Sequence, residues 1–283
     1  MCTVSNESGT LFVVATPIGN LGDLSPRAVH TLREVALVAA EDTRHTRRLF
    51  DHFGIGTPMV SVHEHNEGAR VAQLLARLER GESVALVSDA GTPLISDPGY
   101  RLVRAARKAG VRISPLPGPS ALIAALSVSG LPTDRFAFEG FLPAKAGQRL
   151  GRLQSLAAEP RTLVFYETGR RIEACVHDMV QTFGATRQAV VARELTKLHE
   201  EIHGDELGRL VSWLGEVADR RRGEIVLVVA GAPEAGGDAN EERVREMLRV
   251  LLKALPTRRA VQAVCELTGE SRNRVYRLAL ELE

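Results

Sequence analysis

The chain has 283 residues, of which 44% are hydrophobic and 25% are charged. This composition is typical of a globular protein, and the length suggests about two domains with a sizeable core. The formal net charge is only +1. No global basic charge therefore indicates a nucleic-acid partner, and any RNA site must be a local basic patch.

Cysteine usage and the N-terminal residues predict a cytoplasmic protein. The three cysteines, Cys2, Cys175 and Cys265, lie far apart and form no CxxC pair, which favours reduced thiols. The stretch MCTVSNESGT has neither the basic region nor the apolar core of a secretory signal. No apolar run approaches the roughly 18 residues that a membrane-spanning helix needs, so we expect no association with a membrane.

The first half of the chain alternates short apolar runs with amphipathic stretches. Pro26–Val35 is a predicted helix with Ser25 as its N-cap. Glu67–Arg80 and Tyr100–Ala109 are further predicted helices, each followed by a glycine. Strand and helix in alternation indicate a parallel, doubly wound N-terminal sheet. The predicted strands are Leu11–Ala15, Ala36–Ala40, Met59–Val62, Val84–Val87 and Val111–Leu116.

A second set of elements follows a pause at SGLPTDR. We predict an N-terminal α/β domain over 1–131, a second α/β domain over 132–232 and a small helical C-terminal extension over 241–283. The stretch APEAGGDAN, residues 232–240, has the composition of a linker. The second set of strands is closely spaced, so we expect a mixed second sheet. Its predicted strands are Phe136–Gly140, Thr162–Tyr166, Ala189–Arg193, Glu200–Gly204 and Ile225–Ala230, with helices near 145–158, 169–182 and 205–218 and two or three helices within Glu241–Leu255 and Arg258–Leu282.

The stretch SDAGTPLISDPG, residues 88–99, directly follows the predicted strand Val84–Val87. In doubly wound sheets, ligands bind beyond the carboxyl ends of the strands. Gly91 lets the backbone approach a ligand closely, and the carboxylate of Asp89 can accept hydrogen bonds from it. We therefore predict ligand contact for Asp89 and Gly91, and we interpret Asp97 as an N-cap of the next helix.

Two further loops follow predicted strands. TPIGNLGD, residues 16–23, is rich in glycine, but the chain contains neither the GxGxxG pattern of dinucleotide-binding folds nor a GxxxxGK[ST] phosphate loop. In PGPSA, residues 117–121, Pro119 is expected to start a helix, and the small residues after it leave backbone donors exposed. Each loop taken singly is a weak indication of a ligand site.

The charged stretch EDTRHTRR, residues 41–48, ends the second predicted strand. It brings together Arg44, Arg47 and Arg48, and it places Arg44 and Arg48 on one helix face, as phosphate binders would be. A solvated surface has about equal weight as an interpretation. His63 and His65 follow the third strand without an evident third ligand, so we predict no metal site.

Seven stretches, taken together, resemble one family. They occur in order over about residues 10 to 232, and the helical C-terminal segment agrees with them. The set is similar to the ribosomal RNA small subunit methyltransferase I family of the tetrapyrrole methylase superfamily. The stretches are LFVVATPIGNLGDLSPRA, VAAEDTRHTRRLF, ALVSDAGTPLISDPG, PLPGPSALIAAL, FAFEGFLP, VFYETGRRI and VARELTKLHEE.

This resemblance implies two α/β domains of the tetrapyrrole methylase type, S-adenosyl-L-methionine as cofactor, and a homodimer. It also implies 2′-O-methylation of a cytidine in the decoding region of 16S ribosomal RNA, in the small ribosomal subunit. The cofactor-binding residues that it implies are Pro17, Ile18, Ser88, Asp89, Gly91, Thr92, Ser120, Ala121, Tyr166 and Val228.

The resemblance leaves the general base open. Methyl transfer requires the nucleophile and the methyl group to be held in line, and a ribose hydroxyl is a weak acid that needs a base or strong orientation. The candidate catalytic residues are Glu41, Asp42, His65, Glu67 and Lys197. The predicted RNA contacts are Arg44, Arg47 and Arg48, because they lie at the edge where the cofactor loops begin.

Two other functions remain open. A tetrapyrrole methyltransferase acting on corrin or sirohaem precursors would have the same fold and cofactor, although EDTRHTRR, ELTK and the C-terminal helices favour the ribosomal branch. A non-catalytic RNA-binding module would depend on the C-terminal helices, and the intact cofactor loops argue against it. The arginines that would serve such a module are Arg258, Arg259, Arg272, Arg274 and Arg277.

Overall fold

The computed structural model describes residues 8–63, 66–233 and 238–282, and for residues 238–241 it describes the backbone alone. Contacts divide the chain into two compact units. One consists of Met1–Ala157 and Thr162–Ala230, and the other of Ala158–Arg161 and Gly231–Glu283. Both sheets belong to the first unit, and the division into domains at residues 131 and 232 stays a prediction. None of the described helices combines the length and the apolar character needed to cross a bilayer.

The first sheet is parallel throughout, as predicted. Its five strands lie in the order β3-β2-β4-β1-β5. The central strands β2 and β4 are buried along their whole length, which explains their continuous apolar sequence. The strands are β1 (Thr10–Val14), β2 (Leu37–Ala40), β3 (Met59–Ser61), β4 (Val84–Val87) and β5 (Arg112–Leu116).

Helices cover both faces of this sheet. Alternate side chains of β2 belong to two different hydrophobic clusters: Val38 packs with Leu32 and Phe50, whereas Leu37 packs with the helix residues Leu74 and Leu102. The fold is therefore doubly wound. The helices are α1 (Pro26–Glu34), α2 (Thr43–Phe53), α3 (Glu67–Glu79), α4 (Tyr100–Lys108) and α5 (Ala121–Ser129).

The second sheet is mixed, which confirms the prediction. Its order is β6-β7-β10-β8-β9, with β6 and β7 parallel and the other pairs antiparallel. The strands are β6 (Phe136–Phe141), β7 (Thr162–Thr168), β8 (Gln188–Arg193), β9 (Glu201–Glu206) and β10 (Glu224–Val229), and the helices of this region are α6 (Ala146–Leu156), α7 (Gly169–Phe183) and α8 (Leu207–Glu216).

Helix α5 joins the two sheets of the first unit. Its residues Leu122, Ala125 and Leu126 pack on Val164 and Val228 of the second sheet. The opposite face of that sheet is covered by α6, α7 and α8. The loop that leads into α5 is thereby brought to the edge of the second sheet where β7 ends and β10 begins.

The described residues of the C-terminal unit form three helices, which agrees with the two or three predicted. They are α9 (Asp238–Leu251), α10 (Thr257–Thr268) and α11 (Arg272–Leu280). A small core that includes Leu248, Val264 and Leu278 holds them together. Helix α10 ends at Gly269, whose φ of 72° is the left-handed conformation that glycine adopts without strain.

Candidate functional site

The loops after β1 and β4 are fastened to each other by backbone hydrogen bonds. The N–H of Thr16 donates to the Gly91 carbonyl at 2.8 Å, and the N–H of Gly91 donates to the Thr16 carbonyl at 3.0 Å. The Thr16 hydroxyl also donates to the carbonyl of Ser88 at 3.2 Å. Gly91 has a φ of 80°, which a residue with a Cβ adopts only under strain. These contacts give the two loops a defined shape at the carboxyl edge of the first sheet.

The loop after β5 joins the same edge. The Thr92 hydroxyl donates to the carbonyl of Pro119 at 3.1 Å, and the phenol oxygen of Tyr166 accepts a hydrogen bond from the Leu122 N–H at 3.2 Å. Helix α5 begins at Ala121 with Ser120 as its N-cap. The expectation that Pro119 starts the helix is wrong, because Pro119 lies in the preceding loop.

Two cavities open at this edge, both within the first unit. The apolar cavity has a volume of about 250 Å³. It is lined by Ile18, Ala90, Gly91, Thr92, Ile95, Ser96, Asp97, Ser120, Ala121, Phe141, Tyr166, Glu167, Thr168, Leu195, Glu224, Ile225 and Val226. Its mainly apolar wall with a few polar groups is the usual composition of a small-molecule site.

The basic cavity, named for Arg48 and Lys197, adjoins it and has a volume of about 310 Å³. The two cavities share Ile18, Ala90 and Glu224. The basic cavity is lined by Thr16, Pro17, Ile18, Gly19, Leu21, His45, Thr46, Arg48, Leu49, Ser88, Asp89, Ala90, Lys197 and Glu224. A ligand in one cavity therefore lies next to a ligand in the other.

The predicted cofactor residues divide between the cavities. Ile18, Gly91, Thr92, Ser120, Ala121 and Tyr166 line the apolar cavity, and Pro17, Ser88 and Asp89 line the basic one together with Ile18. Val228 lines neither, because it is fully buried beneath α5.

Val226, two residues before Val228, lies at the apolar cavity instead. Strand β10 runs antiparallel to β7 and pairs Val226 with Tyr166. The beginning of β10 therefore lies beside the end of β7.

Comparison with known proteins gives a family for this geometry. The family model of Tetrapyrrole (Corrin/Porphyrin) Methylases matches residues 10–211. A second model, RsmI C-terminal HTH domain, matches residues 238–283. A ribosomal RNA small subunit methyltransferase I from Pseudomonas aeruginosa is 55% identical over 97% of this chain and 98% of its own length. The chain belongs to the ribosomal RNA small subunit methyltransferase I family.

Other relatives in this family cover similar lengths. The protein of the same description from Escherichia coli O157:H7 is 49% identical over 99% of this chain and 97% of its own length. The one from Synechocystis is 50% identical over 97% of this chain and 99% of its own length.

Solved structures share the fold at low identity. Cobalt precorrin-4 methyltransferase has a TM-score of 0.58 at 14% identity, and the match covers 78% of this chain and 94% of the solved chain. Uroporphyrin-III C-methyltransferase from Thermus thermophilus, complexed with S-adenosyl homocysteine, has a TM-score of 0.53 at 22% identity and covers 78% of this chain and 97% of its own.

Asp97 lies in the apolar cavity of this methyltransferase fold. The interpretation of Asp97 as a helix N-cap is wrong, because the N-cap of α4 is Gly99. Burial raises the pKa of Asp97 to about 6, a hydrogen bond with Ser88 opposes the rise, and the negative charges of Glu41 and Asp89 add to it. The backbone that leads to Asp97 is unusual, since Leu94 and Ser96 have φ values of 74° and 67°. Such strain in non-glycine residues is common in ligand-binding loops.

The acidic residues at the end of β2 have defined partners. The Asp89 carboxylate accepts a hydrogen bond from the Asp42 N–H at 3.0 Å, and the Asp89 N–H donates to Glu41 at 3.4 Å. Burial raises the pKa of Glu41 against the lowering effect of that hydrogen bond. Asp42 is the N-cap of α2 and forms an ion pair with Arg44 at 2.7 Å. Hydrogen bonds from Arg44 lower the pKa of Asp42 well below its usual range.

Glu67 has a structural position. It is buried, and its carboxylate accepts hydrogen bonds from the N–H groups of Arg101 and Leu102 at 2.8 and 3.3 Å. Those groups belong to the first turn of α4, whose N-cap supplies no side-chain acceptor, so Glu67 stabilises the start of that helix. Glu67 lines neither cavity. His65 lies outside the described residues.

Lys197 is held between two carboxylates. Its Nζ lies 2.9 Å from Glu194 and 2.8 Å from Glu224. Burial alone would lower the pKa of Lys197, but the hydrogen bonds to Glu224 and Glu194 raise it. Lys197 is therefore an ammonium ion at neutral pH, which suits anion binding better than proton abstraction.

The three predicted RNA-binding arginines lie on α2 and are exposed. Of these, only Arg48 lines the basic cavity, where it is accompanied by His45. Arg44 is paired with Asp42, and an exposed pair of this kind is weak enough to exchange for a phosphate. Sequence reasoning missed His45 as a cavity residue, although it lies four residues from Leu49 and three from Arg48 on one helix.

Proposed function

We propose that this protein transfers a methyl group from S-adenosyl-L-methionine to the 2′-hydroxyl of a cytidine in the decoding region of 16S ribosomal RNA. The observation that carries the proposal is the adjacency of an apolar cavity and a basic cavity in a chain of this family. The names of its relatives support small-subunit ribosomal RNA as the substrate. The structure of a neighbour with S-adenosyl homocysteine supports the cofactor.

The residues of the apolar cavity fit S-adenosyl-L-methionine. Tyr166 and Phe141 present aromatic faces and edges, with their ring centroids 5.7 Å apart, and Leu195 and Val226 add aliphatic surface. Such a wall suits a purine ring. The hydroxyls of Thr92 and Ser120 and the backbone at Gly91 offer hydrogen-bonding groups for the polar parts of the cofactor.

The residues of the basic cavity suit the RNA. Arg48 offers positive charge to phosphates and the imidazole of His45 borders the same space. Lys197 adds an ammonium that is paired with Glu194 and Glu224, and the carboxylates of Asp89 and Glu224 also line the cavity. The neighbouring arginines of α2 extend this basic surface outside the cavity. A nucleotide bound there presents its ribose toward Ile18 and Ala90, the wall shared with the apolar cavity.

The chemistry needs alignment and a proton acceptor. S-adenosyl-L-methionine supplies a methyl group whose bond to sulfur breaks as the ribose oxygen forms its bond to carbon, and the electron pair stays on sulfur. The hydroxyl proton passes to a base of the protein or to water. Among the candidate carboxylates, Glu41 is connected to the basic cavity through Asp89, whose N–H donates to it at 3.4 Å, and burial raises its pKa, although Glu41 itself lines neither cavity.

We also propose that the protein is a cytoplasmic homodimer. Exposed apolar side chains on α5, on β9 and between β8 and β9 support an interface between copies. These are Ile123, Val128, Leu198 and Ile202. Sedimentation equilibrium should give twice the chain mass, and Ile123→Lys with Val128→Lys should give the single-chain mass.

Mapping ribose methylation tests the proposed reaction. Small ribosomal subunits from cells that lack this protein should carry an unmodified ribose at one decoding-region cytidine. Adding the purified protein and S-adenosyl-L-methionine should restore the 2′-O-methyl group. Transfer of the methyl group to a tetrapyrrole, or to a base instead of a ribose, would contradict the proposal.

A further inference from the structure

Three acidic side chains line the apolar cavity, and their partners differ. Glu167 forms an ion pair with Arg171 at 3.2 Å, and Glu224 forms one with Lys197 at 2.8 Å. In the part of the chain that the structure describes, no Lys, Arg or His forms an ion pair with Asp97. Asp97 is therefore the cavity's carboxylate without a positive partner.

The surroundings of Asp97 make its charge unfavourable in the empty protein. Burial and the negative charges of Glu41 and Asp89 raise its pKa, and burial and Asp97 in turn raise the pKa of the Tyr166 phenol, which lines the same cavity. The influence that favours its ionised form comes from the uncharged side chain of Ser88. A positive ligand group in the cavity would remove this cost, because an opposite charge favours the ionised carboxylate.

The proposed cofactor brings one uncompensated positive charge. Its amino-acid end carries an ammonium and a carboxylate, which neutralise each other, so the net charge resides on the sulfonium sulfur. Burying a cation without a counterion is costly. S-adenosylhomocysteine has the same amino-acid end and a neutral sulfur, so the two molecules differ in this charge.

We propose that Asp97 is the counterion of the cofactor's sulfonium group and that S-adenosyl-L-methionine binds to the protein with Asp97 ionised. This inference rests on the proposed function for the identity of the cofactor. The charge on Asp97 makes the cavity prefer S-adenosyl-L-methionine over S-adenosylhomocysteine. Once the methyl group has left, the sulfur is neutral and its attraction to the Asp97 carboxylate is lost, which weakens the hold on the product.

The pH dependence has a definite sign. Below pH 6 the empty protein holds a proton on Asp97, since burial raises its pKa to about 6. Binding must then displace that proton, so the affinity for S-adenosyl-L-methionine falls as the pH decreases. Between pH 7.5 and pH 5 the expected loss is about tenfold. The affinity for S-adenosylhomocysteine should stay nearly constant.

Isothermal titration calorimetry of the full chain tests this linkage. At pH 6, in buffers of different ionisation enthalpy, S-adenosyl-L-methionine should release about half a proton per site, and S-adenosylhomocysteine should release almost none. In Asp97→Asn the release should disappear, and the affinity at pH 7.5 should fall about tenfold. Asp134→Asn, which removes an exposed carboxylate outside both cavities, should behave as the unchanged protein.

The outcomes separate the two proposals. An affinity for S-adenosyl-L-methionine that is independent of pH, equal proton release with both ligands, or undiminished release in Asp97→Asn would overturn the role of Asp97 and leave the proposed reaction intact. A protein that binds neither ligand at pH 7.5 would overturn the proposed function and this inference together. The melting temperature of Asp97→Asn shows whether the variant folds.

Discussion

The apolar and basic cavities share a wall but differ in charge. The apolar cavity combines an apolar wall with three carboxylates, those of Asp97, Glu167 and Glu224, whereas the basic cavity sets Arg48 and Lys197 against the carboxylates of Asp89 and Glu224. The difference corresponds to the two proposed ligands, because a sulfonium is a cation and an RNA backbone is an anion. One sheet edge can therefore hold ligands of opposite charge side by side, provided that each cavity has its own charged groups.

The largest effect is expected from removing the C-terminal helices. A chain shortened to end near residue 236 should still bind S-adenosyl-L-methionine, because both cavities belong to the other unit. It should lose most methyl transfer to the small subunit, since α10 and α11 carry exposed arginines that can hold RNA.

Charge reversal gives a second measurement that keeps the full chain. Arg272→Glu with Arg277→Glu, both exposed on α11, should reduce transfer to the subunit at least tenfold. Full transfer activity in this variant and in the shortened chain would show that the helices only cap the fold.

The second effect concerns Asp89, which lines the basic cavity next to Ala90, a residue of the wall that the two cavities share. Asp89→Ala removes a carboxylate that accepts a hydrogen bond from the Asp42 N–H. We expect cofactor binding to weaken by about 1–3 kcal/mol, the range for a polar contact that involves a charged group. Calorimetry measures this change directly. An unchanged affinity would assign Asp89 to the basic cavity alone.

The third prediction separates structural from catalytic carboxylates. Glu67→Gln should lower the free energy of unfolding by about 1–2 kcal/mol, because the charged acceptor for two N–H groups of α4 is lost. Urea denaturation gives this value. The affinities for cofactor and RNA should be unaffected, and a loss of methyl transfer without a loss of stability would restore Glu67 as a candidate base.

The smallest effect concerns the basic surface of α2. Arg47→Gln with Arg48→Gln should reduce the slope of log affinity for RNA against log salt by roughly one to two units, because each phosphate contact releases a counterion. Cofactor affinity should stay the same. Arg104→Gln with Arg107→Gln, an equal charge change on the exposed face of α4, serves as the control. If both variants reduced this slope equally, RNA binding would depend on the total charge of the protein and not on the arginines of α2.

Much of the fold follows from sequence patterns. Periodicity and caps predicted the ten strands within a few residues, and Ser25 caps α1 as expected, with its hydroxyl accepting from the Ala28 N–H at 3.1 Å. Alternation of strand and helix predicted the parallel sheet, because local connections determine that arrangement.

The cavity residues were harder to predict where they depend on strand direction. The resemblance implies Val228 as a cofactor residue, whereas Val226 lines the apolar cavity. Which end of β10 meets the cavity depends on its antiparallel pairing with β7, and the sequence of neither strand indicates the direction of that pairing. The sequence favours Asp97 as a cap because aspartate is a preferred N-cap residue and the surrounding stretch is typical of a turn-rich connector. Asp97 lines the same cavity as Tyr166 and Phe141, which come from a distant part of the chain, so local sequence cannot indicate its place in the site.

A crystal structure with S-adenosylhomocysteine would test the assignment of the cavities most directly. The account predicts the adenine ring against Tyr166, Leu195 and Val226, with the sulfur at the wall formed by Ile18 and Ala90 and facing the basic cavity. The ligand bound between Arg48 and Lys197, with the apolar cavity empty, would contradict it.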